Sequence, residues 1–361
     1  MNKNIHIKSV IELNELCDHE KAWNKLLLEC PGSGPTQSFG WIQAFFKHKL
    51  EKNTRWICLF AYENQKLVAV YPLIYLRKKR LPGIVMQFFS MPFDDFHTIR
   101  TDGLILPGYE YILVKFINYL RISLKVFPVI VLKGIPYFSA TAKSSDFCKK
   151  YISSIKKEAG HEDIIKLKDD FPAYLSGLNS KFRREINRQY RKLNLNHQIN
   201  YHIREKRSNY KDFFNSFIEI EDSGWKGENG SSITQRPGDY DLFEEGVKKL
   251  NETGLLEWSF LDADGCRISS QLIININEVL YLWKIGYRED YSNYAPGNLL
   301  IYKLLEKSFH DKTISEINFM SEPKWLNSWK VEKRKLLIII IFPKIYLLSI
   351  LIKIYYKLKY S

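Results

Sequence analysis

In the C-terminal third, Tyr281-Leu282-Trp283-Lys284-Ile285-Gly286-Tyr287 alternates with the period of two that a buried strand requires. Pro296-Gly297 follows at the mouth of an apolar run that continues through Phe309, which predicts a helix. A further strand pattern covers 314–320. Upstream, the spacing predicts helices over 174–193, 209–223 and 239–253 and strands over 255–262, 266–276 and 278–287. The N-terminal half has the same kinds of piece. Helices fit 23–28, 41–50 and 109–124, a hairpin fits 56–61 with 67–76, and a strand fits 127–133. Both halves carry strand, polar turn and strand at the same relative place, which implies tandem copies of one fold. A polar stretch over 160–172 reads as the boundary.

The helix from Asn179 has two faces. Leu178, Phe182, Ile186, Tyr190 and Leu193 form the apolar one, and Lys181, Arg184, Arg188 and Arg191 lie nearly opposite. Residues 181–192 hold six cations against one acid, and residues 334–361 hold six with none. These two segments therefore account for most of the net charge of +14, so the excess marks two surfaces rather than a uniformly cationic chain. The basic helix suits an anion: a nucleotide or phosphate group, an acidic glycan or a lipid headgroup.

Residues 336–352 are nearly all apolar but carry Pro343 and Lys344 at the middle. A central lysine costs a membrane span about 2.5–3.5 kcal/mol, so the pattern favours an interfacial anchor on anionic lipid over a crossing helix. Packing of this tail on the protein itself is the other reading. The N-terminus lacks the long apolar core of a signal peptide, which makes the cytoplasm the expected compartment. Five dispersed cysteines fit reduced packing residues better than a disulfide frame, and no metal site is expected.

The order of pieces resembles the CelD-like acyltransferases, a branch of the GNAT superfamily related to the FemAB peptidyltransferases. Pro296, Gly297, Leu299, Leu300, Glu322 and Trp329 carry the resemblance, while Asn318 stands where that family usually has Asp. Weaker matches occur at Glu221–Lys226, 181–186, 37–41 and 93–95. The resemblance implies an α/β fold of two tandem GNAT-like domains, each a mixed, mostly antiparallel sheet flanked by helices. The expected domains are 1–165, 166–333 and a hydrophobic, basic tail over 334–361.

The same resemblance implies an N-acyltransferase. It would move an acyl group from acyl-CoA, with acetyl-CoA the first candidate, to an amine on a small or lipid-linked acceptor in surface polysaccharide or cell-envelope synthesis. The protein would sit on the inner face of the plasma membrane. The donor would lie at Tyr294, Pro296, Gly297, Asn298 and Leu299, on main-chain N–H groups at a helix start. Glu221 and Glu322 are candidate bases, and Tyr287 is a candidate proton donor. Lys181, Arg184, Arg188, Trp225, Lys226 and Trp329 would meet the acceptor. His197, His202 and His310 have no partner visible in sequence. Two alternatives stand beside this reading. One is a FemAB-type aminoacyltransferase using aminoacyl-tRNA on a lipid-linked peptidoglycan precursor; the other is a non-catalytic GNAT scaffold. No DNA-binding pattern is present.

Overall fold

The computed structural model describes residues 4–344 apart from 82–83, 95–96, 148–149, 207–208, 225–226 and 228. Contacts divide the chain into two compact units, residues 1–161 with 334–361, and residues 162–333.

The first unit begins with β1 (Ile5–Val10), α1 (Leu13–Cys17), α2 (Glu20–Glu29) and α3 (Phe39–His48). β2 (Arg55–Glu63) and β3 (Lys66–Leu81) form the expected hairpin. Then come β4 (Ile84–Ser90), β5 (Leu104–Ile105), α4 (Ile112–Ser123), β6 (Phe127–Pro136) and α5 (Ala140–Phe147). β7 (Ile152–Lys166) starts in this unit and ends in the second.

The second unit continues with α6 (Phe171–Ser176), α7 (Ser180–Asn196), β8 (Ile199–Glu205), α8 (Tyr210–Asp222) and α9 (Asp239–Glu252). β9 (Leu256–Ala263), β10 (Cys266–Ile276), β11 (Val279–Tyr287), α10 (Pro296–His310) and β12 (Glu316–Asn318) complete it. β13 (Glu332–Pro343) returns the chain to the first unit.

The two units share one pairing plan. In the first, β1–β2, β2–β3 and β3–β4 are antiparallel, β4–β6 is parallel and β6–β13 is antiparallel. In the second, β8–β9, β9–β10 and β10–β11 are antiparallel, β11–β12 is parallel and β12–β7 is antiparallel. Each is a mixed, mostly antiparallel sheet with helices packed on it, as expected.

Two segments depart from the sequence reading. Residues 336–342, expected to open a membrane-seeking tail, belong to β13, a strand of the first unit paired with β6. Leu336 pairs with Pro136 and Ile341 with Ile130, and Ile339 to Phe342 are at most 1% exposed. The isoleucine run is apolar because it is a core strand. Residues 345–361, the rest of that tail, lie outside the described residues. The polar boundary is also a strand in part: Glu162 and Asp163 are buried within β7.

The core of the second unit is built as the helical spacing predicts. Ile186 and Leu193 of α7 pack with Leu300, Leu304 and Leu305 of α10 over Leu280 and Leu282 of β11. Phe217 and Phe243, from α8 and α9, pack against Trp258 and Trp283. Burying each such side chain is worth about 1.5–3 kcal/mol.

Candidate functional site

β11 is nine residues long, and only its first three pair with β12: Val279 with Glu316, Leu280 with Ile317 and Tyr281 with Asn318. Past that point β12's chain stays with β7. The Phe319 N–H donates to the Asp163 carbonyl at 3.0 Å, and the Asp163 N–H to the Ser321 carbonyl at 3.1 Å. β11 keeps its other neighbour, β10, but through a bulge. Leu272 faces Lys284 and Ile273 faces Leu282, so Trp283 is the extra residue. A bulge bends its strand and re-aims the main chain. The strands therefore part at Tyr281 and Asn318, with the bulge two residues beyond.

The first unit lacks this opening. Its parallel pair, β4 with β6, stays in register over five residues to Ser90, the last of β4.

α10 begins beside the opened end of β11. Six residues of 3₁₀ helix, Glu289–Tyr294, separate strand and helix. Ala295 caps α10 in the left-handed region, with φ 49° and ψ 51°. The following Pro296 disfavours the right-handed helical conformation at this position. The left-handed one costs a non-glycine residue roughly 1–2 kcal/mol. Pro296 has no N–H, and those of Asn298 and Leu299 both go to the Ala295 carbonyl, at 3.0 and 3.2 Å. The Gly297 N–H is thus the first-turn donor left to point out of the helix, fewer than the several expected. A Cβ added to Gly297 would stand 3.6 Å from Tyr287 Cδ1, so ring and helix start are in contact.

The structure places the other candidates as follows. Tyr287 is half-buried; burial first, then the charge of Glu289, raises its phenol above the usual range. Glu221, 2% exposed, accepts a 3.1 Å hydrogen bond from the Ile233 N–H and so braces the segment after α8. α8 comes close here because Gly286 of β11 has no side chain: a Cβ there would meet Ile220 Cγ2 at 3.2 Å. Glu322 is exposed on the loop that leaves β12. Leu299 is a core residue of α10, and Pro296 is buried.

Trp329, expected to meet the acceptor, has no exposed surface in this structure. It stacks edge-on against Phe182 with centroids 5.0 Å apart, and donates to Asn298 Oδ1 at 3.4 Å. Its role is to fix the Lys324–Trp329 turn against the start of α10. Lys181, Arg184 and Arg188 are exposed on α7, whose N-cap Asn179 accepts from the Lys181 N–H at 2.9 Å. Trp225 and Lys226 lie outside the described residues.

A group the sequence could not assemble lies at the same corner. His197, just past α7, contacts Asp264 Oδ2 through Nδ1 at 2.7 Å and the Tyr294 hydroxyl through Nε2 at 3.3 Å. The bond to His197 holds the Asp264 carboxyl below its ordinary range. Lys192 Nζ stands 5.0 Å from the Tyr294 ring. Asp264 sits in the tight turn between β9 and β10, 67 residues from its partner. The turn could be read locally, but the pairing could not. Among the described residues no cluster of three or more His, Cys, Asp or Glu is placed to hold a metal ion.

Residues 180–330, which hold the parted strands and α10, match the acetyltransferase (GNAT) domain family. The second unit therefore carries a GNAT-type acyltransferase domain. GNAT domains generally use acyl-CoA as co-substrate. No curated protein matches the chain in sequence. In fold, the whole chain is similar to FemX, with a TM-score of 0.58 at 11% identity over 93% of this chain and 97% of FemX. A conserved protein of unknown function from Bacteroides thetaiotaomicron gives 0.56 at 11% identity, covering 94% of this chain and 99% of that one. L-PGS from Bacillus licheniformis gives 0.51 at 12% identity, over 92% and 95%. These are likenesses of fold alone. Among the described residues, no helix is long and apolar enough to cross a membrane.

Proposed function

We propose that the GNAT domain transfers an acyl group from acyl-CoA, acetyl-CoA first among candidates, to the amine of an amino sugar or related precursor of a surface polysaccharide. The observation that carries this reading is the parting of β11 from β12 beside the start of α10, which the first unit does not repeat. The thioester would lie along the edge of β11 that β12 no longer covers. The pyrophosphate would meet the Gly297 N–H and the positive end of α10.

In the reaction a neutral amine attacks the thioester carbon. Negative charge moves to the carbonyl oxygen, where main-chain N–H groups of the opened edge stabilise it. The C–S bond then breaks, the attacking nitrogen releases its surplus proton to leave a neutral amide, and the thiolate takes a proton. Tyr287, whose phenol burial raises above its usual range and whose ring touches the start of α10, would supply it. Most amines are charged at neutral pH, so one proton must first be removed. Glu322 is the candidate base that solvent can reach. Lys181, Arg184 and Arg188 of α7 would receive the anionic part of the acceptor.

A second reading, an aminoacyl-tRNA donor, is favoured by the FemX likeness in fold alone. Calorimetry with acetyl-CoA, longer acyl-CoAs and free CoA decides between the two. Saturable acyl-CoA binding lost in Gly297→Val supports the first. No binding, together with transfer from a charged tRNA, replaces it with the second.

A further inference from the structure

On α7, Arg184, Arg188 and Arg191 recur three or four residues apart, with Lys192 beside them, on the face turned from buried Ile186 and Leu193. The helix has one acid, Glu185, and it is already engaged. It accepts from Arg188 at 2.9 and 2.6 Å and from Gln189 at 2.6 Å, and these bonds hold its carboxyl at about 2. At the end of the same basic face stands Leu195, 85% exposed, more than any other large hydrophobic side chain among the described residues.

A row of cations alone would serve any polyanion. A bare leucine among them does not serve a nucleic acid, whose phosphates offer it no apolar surface. An anionic bilayer offers both things: headgroup charge for the cations and an acyl boundary for Leu195. We propose that the outer face of α7 docks on an anionic lipid surface. The inference deepens the acyltransferase reading and rests on it in one respect. Lys192 stands against Tyr294, one residue before the cap of α10, so a docked α7 would bring the donor corner to a lipid-held amine.

Co-sedimentation of the full chain with phosphatidylcholine vesicles, with and without phosphatidylglycerol, tests this. The C-terminal segment is the same in every variant, so differences report on α7. Binding is expected only with phosphatidylglycerol, weakened by salt and weaker by roughly fivefold for each cation removed in R184E and R184E/R191E. L195D is expected to weaken binding even at high salt, where the cations are screened. Vesicle binding equal to wild type in R184E/R191E and L195D, with unchanged thermal melts, overturns the proposal. So does a tRNA gel shift abolished by R184E/R191E while vesicle binding holds, which would make α7 a nucleic-acid face. Acetyl-CoA calorimetry on the same proteins separates the two readings. Lipid binding without acyl-CoA binding leaves the docking in place and removes the acyltransferase reading; loss of acyl-CoA binding alone in R184E/R191E assigns the cations to the donor and overturns the docking.

Discussion

Tyr281 and Asn318 form the last parallel pair between β11 and β12, and the sheet of the GNAT domain opens immediately beyond them. Asn318 is fully buried, and its Oδ1 accepts from the Met320 N–H at 2.8 Å. That bond turns the chain through Met320, whose φ is 46°, and helps direct it away from β11.

Gly297→Val is expected to weaken acetyl-CoA binding by about tenfold or more, equivalent to about 1.4 kcal/mol, while the melting temperature stays near wild type. A Cβ at this position makes ordinary contact with Tyr287, and the branched methyls of valine add bulk beside that ring at the helix start. Calorimetry beside a thermal melt checks both halves, and Gly297→Ala should fall between the two proteins.

Tyr287→Phe keeps the ring against Gly297 and removes only the hydroxyl. If that hydroxyl protonates the thiolate, kcat falls on the order of 10²-fold with KM little changed. Burial and Glu289 raise the phenol's pKa, so it stays a proton donor to higher pH than a free tyrosine. In wild type the rate should fall at the alkaline end of the profile, and in the variant that limb should vanish.

Arg204 joins β8 to two acids, Glu257 at 2.7 Å and Asp311 just past α10 at 2.6 Å. Its side chain is 8% exposed and that of Glu257 is 3%. Arg204→Met leaves the buried glutamate with Lys206 at 3.9 Å and an Asn275 hydrogen bond at 3.1 Å, and is expected to cost roughly 3 kcal/mol in urea unfolding. Adding Glu257→Leu should recover much of the loss.

In the first unit, burial raises the Asp102 carboxyl to about 6, against hydrogen bonds from Ser139, Thr141 and the Gly103 N–H that lower it. The folded chain therefore holds this proton more tightly than the unfolded chain. The linked stability is fully present below about pH 4 and is lost as pH rises toward 6, by roughly 3 kcal/mol. Asp102→Asn should flatten the unfolding free energy across that window.

A truncation ending at Lys335 removes most of β13 and with it Leu336 and Ile339 to Phe342 from the first unit's core. The truncated chain is expected to lose cooperative unfolding of that unit, followed by near-ultraviolet dichroism, rather than only to leave membranes.

Much of the local structure around the candidate site was legible before the structure. Pro296 and Gly297 do open a helix, and Ile186 and Leu193 do form the buried stripe of α7, although Tyr190, read on the same stripe, is 39% exposed and Leu178 is buried just before the helix. What misled was chemistry shared by different settings. A run such as Leu336–Phe342 satisfies lipid and a sheet interior equally well. Trp329 looks alike in a motif whether it meets substrate or packs on Phe182. Glu162 and Asp163 read as linker because burying two acids is costly unless the fold supplies partners.

By itself the sequence determined the kind and order of the elements around α7, α10 and β9 to β11. The periods of 2 and 3.6 and the Pro and Gly signals act over a few residues and are written locally. Only the tertiary structure decided that β13 completes the first unit, that His197 meets Asp264 and Tyr294, and that β11 leaves β12 at Tyr281. Those outcomes depend on pairing between segments far apart in the chain, where each partner's choice is set by the burial and register of the rest.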